Sequence, residues 1–274
     1  MAAAIVLAAL LQADLAAGEV RKLAGDMKFT EGPVADANGN VYFTDIPNRR
    51  IMKWDGKALS VFRENSGGAN GLRIDRDGNL VVCEGGNRRV TRLRIADGQV
   101  AVLADAFGGR KLNSPNDLAL DPRGGVYFTD PRYGKRDDLE QDREAVYYIS
   151  PGGGAPVRVA EDLVRPNGIE YADGILYVAD PGAGKVYRYA VNPDGTLRDR
   201  REFAAVACDG LKVDEKGNVY TTTRNGVEIF APDGKPLGTI KVPEAPSNVC
   251  FGGKTLYITA RTSLYAVEMN VRGR

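Results

Sequence analysis

One stretch of this chain, Leu112–Asp130, is written six times in modified form. It has a polar head (Pro115-Asn116-Asp117), a short apolar run, a glycine turn and the alternating strand Val126-Tyr127-Phe128-Thr129-Asp130. The first copy runs from Thr30-Glu31-Gly32-Pro33 through Asn38-Gly39-Asn40 to Val41-Tyr42-Phe43-Thr44-Asp45. The heads fall at Glu31, Asn70, Asn116, Asn167, Asp209 and Asn248. A period of about 40–50 residues with four short strands per unit is the signature of a propeller blade. A lone four-stranded sheet leaves both faces uncovered, so each unit must stack between neighbours until the ring closes. The expected architecture is all-β: a six-bladed β-propeller with four antiparallel strands per blade. Six units occupy the chain from residue 18 to 274 and leave no second domain. The inner strand of each blade is expected to start just after its head, so the six heads meet at one mouth of the central channel.

Composition removes several functions. Lys+Arg 37 against Asp+Glu 36 leaves a net charge of +1, so no global field favours nucleic acid or an acidic surface. Histidine is absent, which excludes Ser-His-Asp and Cys-His nucleophilic machinery and argues against zinc. Cys83, Cys208 and Cys250 have no CxxC spacing and lie in or beside apolar runs, as buried thiols do. The 33 glycines and 14 prolines suit many tight turns between short strands.

A repeat kept only for packing needs no polar head, and none that alternates between acid and amide. Asx residues also cap turns through side-chain to backbone hydrogen bonds, which accounts for asparagine at several heads. It accounts poorly for Glu31, a weak turn former. Two carboxylates converging in a channel repel unless a proton or a cation intervenes. A set of oxygen donors without His or thiolate selects a hard ion. Ca²⁺ held by Glu31, Asn116, Asn167 and Asp209 is the first choice, because calcium accepts mixed carboxylate and carbonyl oxygens; Mg²⁺ and Mn²⁺ are alternatives.

Read together and in order, several motifs resemble the senescence-marker-protein/gluconolactonase/luciferin-regenerating-enzyme family, and its bacterial gluconolactonase branch in particular. They are Phe29-Thr30-Glu31-Gly32-Pro33, Leu112–Leu118, Tyr127–Gly134, Arg165-Pro166-Asn167-Gly168-Ile169, Cys208-Asp209-Gly210-Leu211 and Phe251-Gly252-Gly253. The resemblance implies a six-bladed propeller with a divalent metal ligated through Glu31, Asn167 and Asp209. It makes Asn116 a further ligand or a substrate contact, and it implies hydrolysis of sugar lactones such as glucono-1,5-lactone. There is one departure. The branch often reads Glu-His-Gly before the paired arginines of the second blade, whereas this chain has Glu84-Gly85-Gly86-Asn87-Arg88-Arg89.

A channel metal would polarise a lactone carbonyl and acidify water, with Asp209 as the general base. Asn116 and Asp117 are expected to fix ring hydroxyls, with Arg132 and Tyr133 as further substrate contacts. Two other readings stay open: an arylesterase or organophosphate hydrolase on the same metal site, and a non-catalytic interaction propeller. The last draws on the Tyr-Phe-Thr-Asp strands, which resemble the Tyr-Trp-Thr-Asp repeats of receptor propellers. Unlike heads favour the enzyme.

The longest insertion, Asp130–Ala145, is highly charged. It reads as a solvated loop or a partial lid, and the sequence does not say at which end of the channel it lies. Met1–Ala17 is set apart as an Ala-rich leader. Its apolar run Ile5–Leu11 is too short to span a bilayer. Small residues follow the run as at a signal-cleavage site, yet no Lys or Arg precedes it. A signal would place the protein in the periplasm or outside the cell, and a plain N-terminal helix in the cytoplasm. Oligomeric state is not legible.

Overall fold

The computed structural model describes residues 15–274; leader residues 1–14 lie outside the described part. Six four-stranded antiparallel sheets form the blades, each a meander in which consecutive strands are neighbours. Blade 1 runs Thr30–Ala35, Val41–Asp45, Arg50–Trp54 and Leu59–Arg63. Blade 6 breaks the rule. Its inner three strands are Pro246–Gly252, Thr255–Ala260 and Ser263–Glu268, and its outer strand is the N-terminal Arg21–Ala24. Arg21 stands opposite Ala266, so the two ends of the chain lock one sheet and close the ring. Leu15, Ala16 and Ala17, which the sequence reading set apart with the leader, pack here. Leu15 is buried beside Met269 and Val271, and the Ala17 N–H donates to Glu268 O at 2.8 Å.

The second strand of each blade lies between two neighbouring sheets, so both of its faces are covered. Val41–Asp45 and Val126–Asp130 are buried at every residue. Their threonines face the next blade and donate to its head backbone. Thr44 Oγ1 reaches Asn70 O at 3.1 Å and Thr129 Oγ1 reaches Asn167 O at 2.7 Å. In blade 5 Thr222 Oγ1 reaches Ser247 O at 2.7 Å. The closing aspartate of the same strand holds the incoming loop that carries the head. Asp45 accepts the Lys28 and Phe29 N–H groups, Asp130 those of Asn113 and Ser114, and Asp180 those of Val164 and Arg165.

Glycine follows most heads because the next blade's backbone passes within contact distance. A Cβ on Gly168 would stand 2.4 Å from Asp209 O, and one on Gly32 would stand 2.0 Å from Asn70 O. Asx turns occur at the other end of the inner strands. Asp36, Asp75, Asp121 and Asp214 each accept two N–H groups of the following turn. Turn capping at that end is the task of these aspartates.

The inner strands start just after the head in only half of the blades. Strands begin at Leu118, Ile169 and Leu211, two residues past Asn116, Asn167 and Asp209. In blades 1, 2 and 6 the heads Glu31, Asn70 and Asn248 lie inside the strand. There a register shift, Glu31/Val34, Ala69/Leu72 or Pro246/Asn248, absorbs the kink.

Candidate active site

Five of the six heads line one cavity at the mouth of the channel. Its first lobe, of about 400 Å³, is walled by Glu31, Asn70, Asn116, Asn167 and Asp209 together with glycines of blade 2. The second lobe, of about 380 Å³, shares Phe29, Tyr133, Asn167 and Asp209 with the first and extends over blades 5 and 6. Volumes of this size suit a small organic molecule.

Asn248, the sixth head, lines neither lobe. It is buried, and its Nδ2 donates to Glu31 Oε2 at 3.0 Å and to Asp117 Oδ2 at 3.3 Å. It joins two carboxylates from below. Asp117 occupies the position that is glycine after most heads, and it too is buried outside the cavity lining. Its Oδ1 accepts the Leu118 N–H and lies 3.5 Å from the Arg73 guanidinium. Asp117, expected at a substrate hydroxyl, thus stands beneath the cavity as part of its floor. Arg132 also stands apart from the cavity lining: it donates to Asn113 O at 2.7 Å and to Lys135 O at 2.6 Å, and it meets Asp138. Tyr133 does line the cavity.

Below the floor the inner strands carry a buried ion network that the sequence reading missed. Arg73 bonds Glu170 at 3.0 Å, and Glu170 meets Lys212 at 2.8 Å. A signal existed. Arg73, Glu170 and Lys212 each stand three residues after a head, in strands that are otherwise apolar.

Crowded negative charge sets the electrostatics. Burial raises the Glu31 carboxyl well above its ordinary value, and the charges of Asp209 and Asp117 push it further; bonds from the Gly32 N–H and Asn248 oppose this. Burial raises Asp209 to about 7, with the Asn167 amide beside it pulling down and the Asp117 charge pushing up. Such carboxylates call for a positive charge. One Glu31 oxygen, Oε2, is committed to Gly32 and Asn248; Oε1 has no hydrogen-bond partner among the described residues. Asn167 Nδ2 donates to the Tyr133 hydroxyl at 2.7 Å, which leaves its carbonyl oxygen as the available end. Asn70 Oδ1 is a buried acceptor without a partner. An unsatisfied acceptor is costly in a dry site, and a cation or substrate hydroxyl would satisfy it. Among the described residues no three His, Cys, Asp or Glu side chains cluster at metal-binding spacing. The candidate set relies instead on two carboxylates completed by amides. That donor set fits a hard divalent ion and does not fit zinc.

At the departure from the Glu-His-Gly pattern, a side chain would crowd the blade 3 loop. A Cβ on Gly85 would lie 2.8 Å from Ser114 Oγ and 3.2 Å from Pro115 O. Ser114 Oγ donates to Gly85 O at 3.1 Å, closing the blade 2–blade 3 seam over that spot.

The model of the SMP-30/gluconolactonase/LRE-like region matches residues 29–262. The chain belongs to this family. A gluconolactonase of Zymomonas mobilis is 33% identical over 293 residues, covering 93% of this chain and 82% of the relative. A solved structure described as a putative gluconolactonase superposes with a TM-score of 0.89 at 36% identity, covering 95% of this chain and 96% of that one. Another, a gluconolactonase from Xanthomonas campestris, superposes with a TM-score of 0.89 at 33% identity, covering 94% and 92%. This member of the SMP-30/gluconolactonase/LRE-like family has acid and amide heads and glycine at position 85.

Proposed function

We propose that this chain is a divalent-cation-dependent lactonase acting on a sugar lactone, with Glu31, Asn167 and Asp209 holding the cation and Asn116 as a further ligand or a substrate contact. Calcium is the first choice, and magnesium or manganese would be accepted by the same oxygens. The observation that carries the reading is the convergence of Glu31 and Asp209 on one cavity, where each is held above its ordinary carboxyl value and no cationic side chain lines the first lobe. Family membership with gluconolactonases supports the substrate class. Unlike heads, within a repeat that packing alone would keep uniform, weigh against a purely structural interaction propeller.

When bound, the cation supplies Lewis acidity at the ester carbonyl oxygen and lowers the pKa of water. The chain's own residues do the rest. Asp209 lines both lobes and would accept a proton from the attacking water. The Tyr133 hydroxyl accepts from the Asn167 amide nitrogen, which would leave the amide oxygen available to the cation. Phe29 and Ile46 present apolar surface to the ring carbons.

Proton release from glucono-1,5-lactone, with and without chelator, tests the proposal. Activity is expected to vanish on chelation and return with calcium, and Asp209→Asn is expected to lower kcat by about 10²-fold or more. A metal-free preparation as active as the loaded one would refute it. Turnover of aryl esters alone would reassign the substrate to an arylesterase.

A further inference from the structure

The second lobe has a charge the first lacks. Arg224 and Arg261, both exposed, line it on blades 5 and 6. Each sits in the short turn between the second and third strands of its blade: Arg224 between Val219–Thr223 and Gly226–Phe230, Arg261 between Thr255–Ala260 and Ser263–Glu268. These turns lie on the face of the ring that carries the heads.

Three arginines in or bordering the insertion are committed. Arg88 and Arg132 face Asp138, and Arg165 faces Glu144, all within the blade 3 insertion. Arg224 and Arg261 have no ion pair or side-chain hydrogen bond among the described residues. Nearby carboxylates are occupied: Glu228 accepts from Thr223 and Asn225, both at 2.9 Å. Glu244 is bonded by Thr262, Ser263 and Tyr265. The one carboxylate lining this lobe is Asp209, at the wall it shares with the first. Two arginines without an ion pair among the described residues therefore line a lobe whose only lining carboxylate is the shared Asp209. Guanidinium is suited to bidentate capture of carboxylate or phosphate.

We infer that Arg224 and Arg261 form a subsite for an anionic substituent of the lactone, a carboxylate or phosphate carried across the ring from the carbonyl. The inference rests on the lactonase reading. A molecule with its carbonyl at Asp209 can extend into the second lobe, because both lobes share that residue together with Phe29, Tyr133 and Asn167. The substrate class then narrows from neutral sugar lactones to lactones of acidic or phosphorylated sugars.

The test compares kcat/KM for glucono-1,5-lactone, a glucarolactone and 6-phosphoglucono-1,5-lactone in the calcium-loaded protein. An anionic lactone is expected to be preferred about tenfold, mainly through KM. That preference should fall about threefold in Arg224→Gln or Arg261→Gln, and vanish in the double variant. Whichever anionic lactone is preferred identifies the substituent. Equal kcat/KM for neutral and anionic lactones, or a preference unchanged in the double variant, overturns the inference and leaves the lactonase reading standing. Calorimetric binding of gluconate and glucarate separates the opposite case. If no lactone is turned over but glucarate binds more tightly than gluconate, and the double variant loses that difference, the subsite stands and the lactonase reading falls. Equal binding of the two acids removes the subsite.

Discussion

The Thr129 hydroxyl donates to Asn167 O at 2.7 Å and accepts the Asp117 N–H at 3.1 Å. One buried side chain thus fixes the backbone at the head of blade 4 and beside the head of blade 3. The sequence showed this threonine only as one letter of an alternating strand, since the neighbour it serves is contributed by another blade. Thr129→Val keeps the shape and leaves two backbone groups without a partner. A loss of about 2 kcal/mol is expected, read from the urea midpoint. Equal stability of the two proteins would show that the seam relaxes around the missing hydroxyl.

Among the elements, the blade 3 insertion is the one that turned out to matter for the site. In other blades the second-to-third strand connection is a short turn, such as residues 46–49 or 261–262; here it spans residues 131–144. Sequence alone left its end of the channel open. The structure answers by placing Tyr133 in the cavity wall and hydrogen-bonding it to Asn167. The insertion is held on its outer side by Gln141, whose Nε2 donates to Phe107 O, Arg110 O and Lys111 O in a small hairpin between blades 2 and 3. It therefore contributes one side chain, Tyr133, to the cavity wall from a tethered loop. Tyr133→Phe keeps the ring and frees the Asn167 amide to rotate. KM for the lactone is expected to rise about three- to tenfold, with smaller change in the melting temperature. Unchanged steady-state kinetics would show that Asn167 is oriented by something else.

At the scale of the whole molecule, stability depends on closing the ring at blade 6. Glu244 lies at that closure. Burial alone would raise its carboxyl, but bonds from Ser263, the Thr262 N–H, Tyr265 and the Thr262 hydroxyl outweigh it and hold the group at about 2, below its ordinary 4.5. Lys22, on the N-terminal strand, stands 3.7 Å away. A carboxyl lowered on folding stabilises the fold above its unfolded pKa, and that contribution is lost as pH falls from about 4.5 towards 2. After allowance for partial solvent exposure it is worth about 2 kcal/mol. Glu244→Gln is therefore expected to melt lower than the native protein at pH 7, with the gap closing below about pH 3. A gap independent of pH would mean that packing, and not the charge, is what the substitution removes.

The repeat itself determined the architecture. A sheet that recurs at fixed intervals and cannot cover its own faces has few ways to be buried, so six blades and the ring of heads were legible in the residues. The acid–amide alternation at Glu31, Asn116, Asn167 and Asp209 was legible for the same reason, since packing gives no cause for it. Tertiary structure alone decided which heads face the cavity. Asn70 joined it with an unpaired oxygen, Asn248 turned into the floor, and Asp117 was drawn down towards Arg73. It also decided that the first strand of the chain completes the last blade. These outcomes depend on side chains from different blades sharing the limited space around one axis, and adjacency across that axis has no counterpart in the order of residues along the chain.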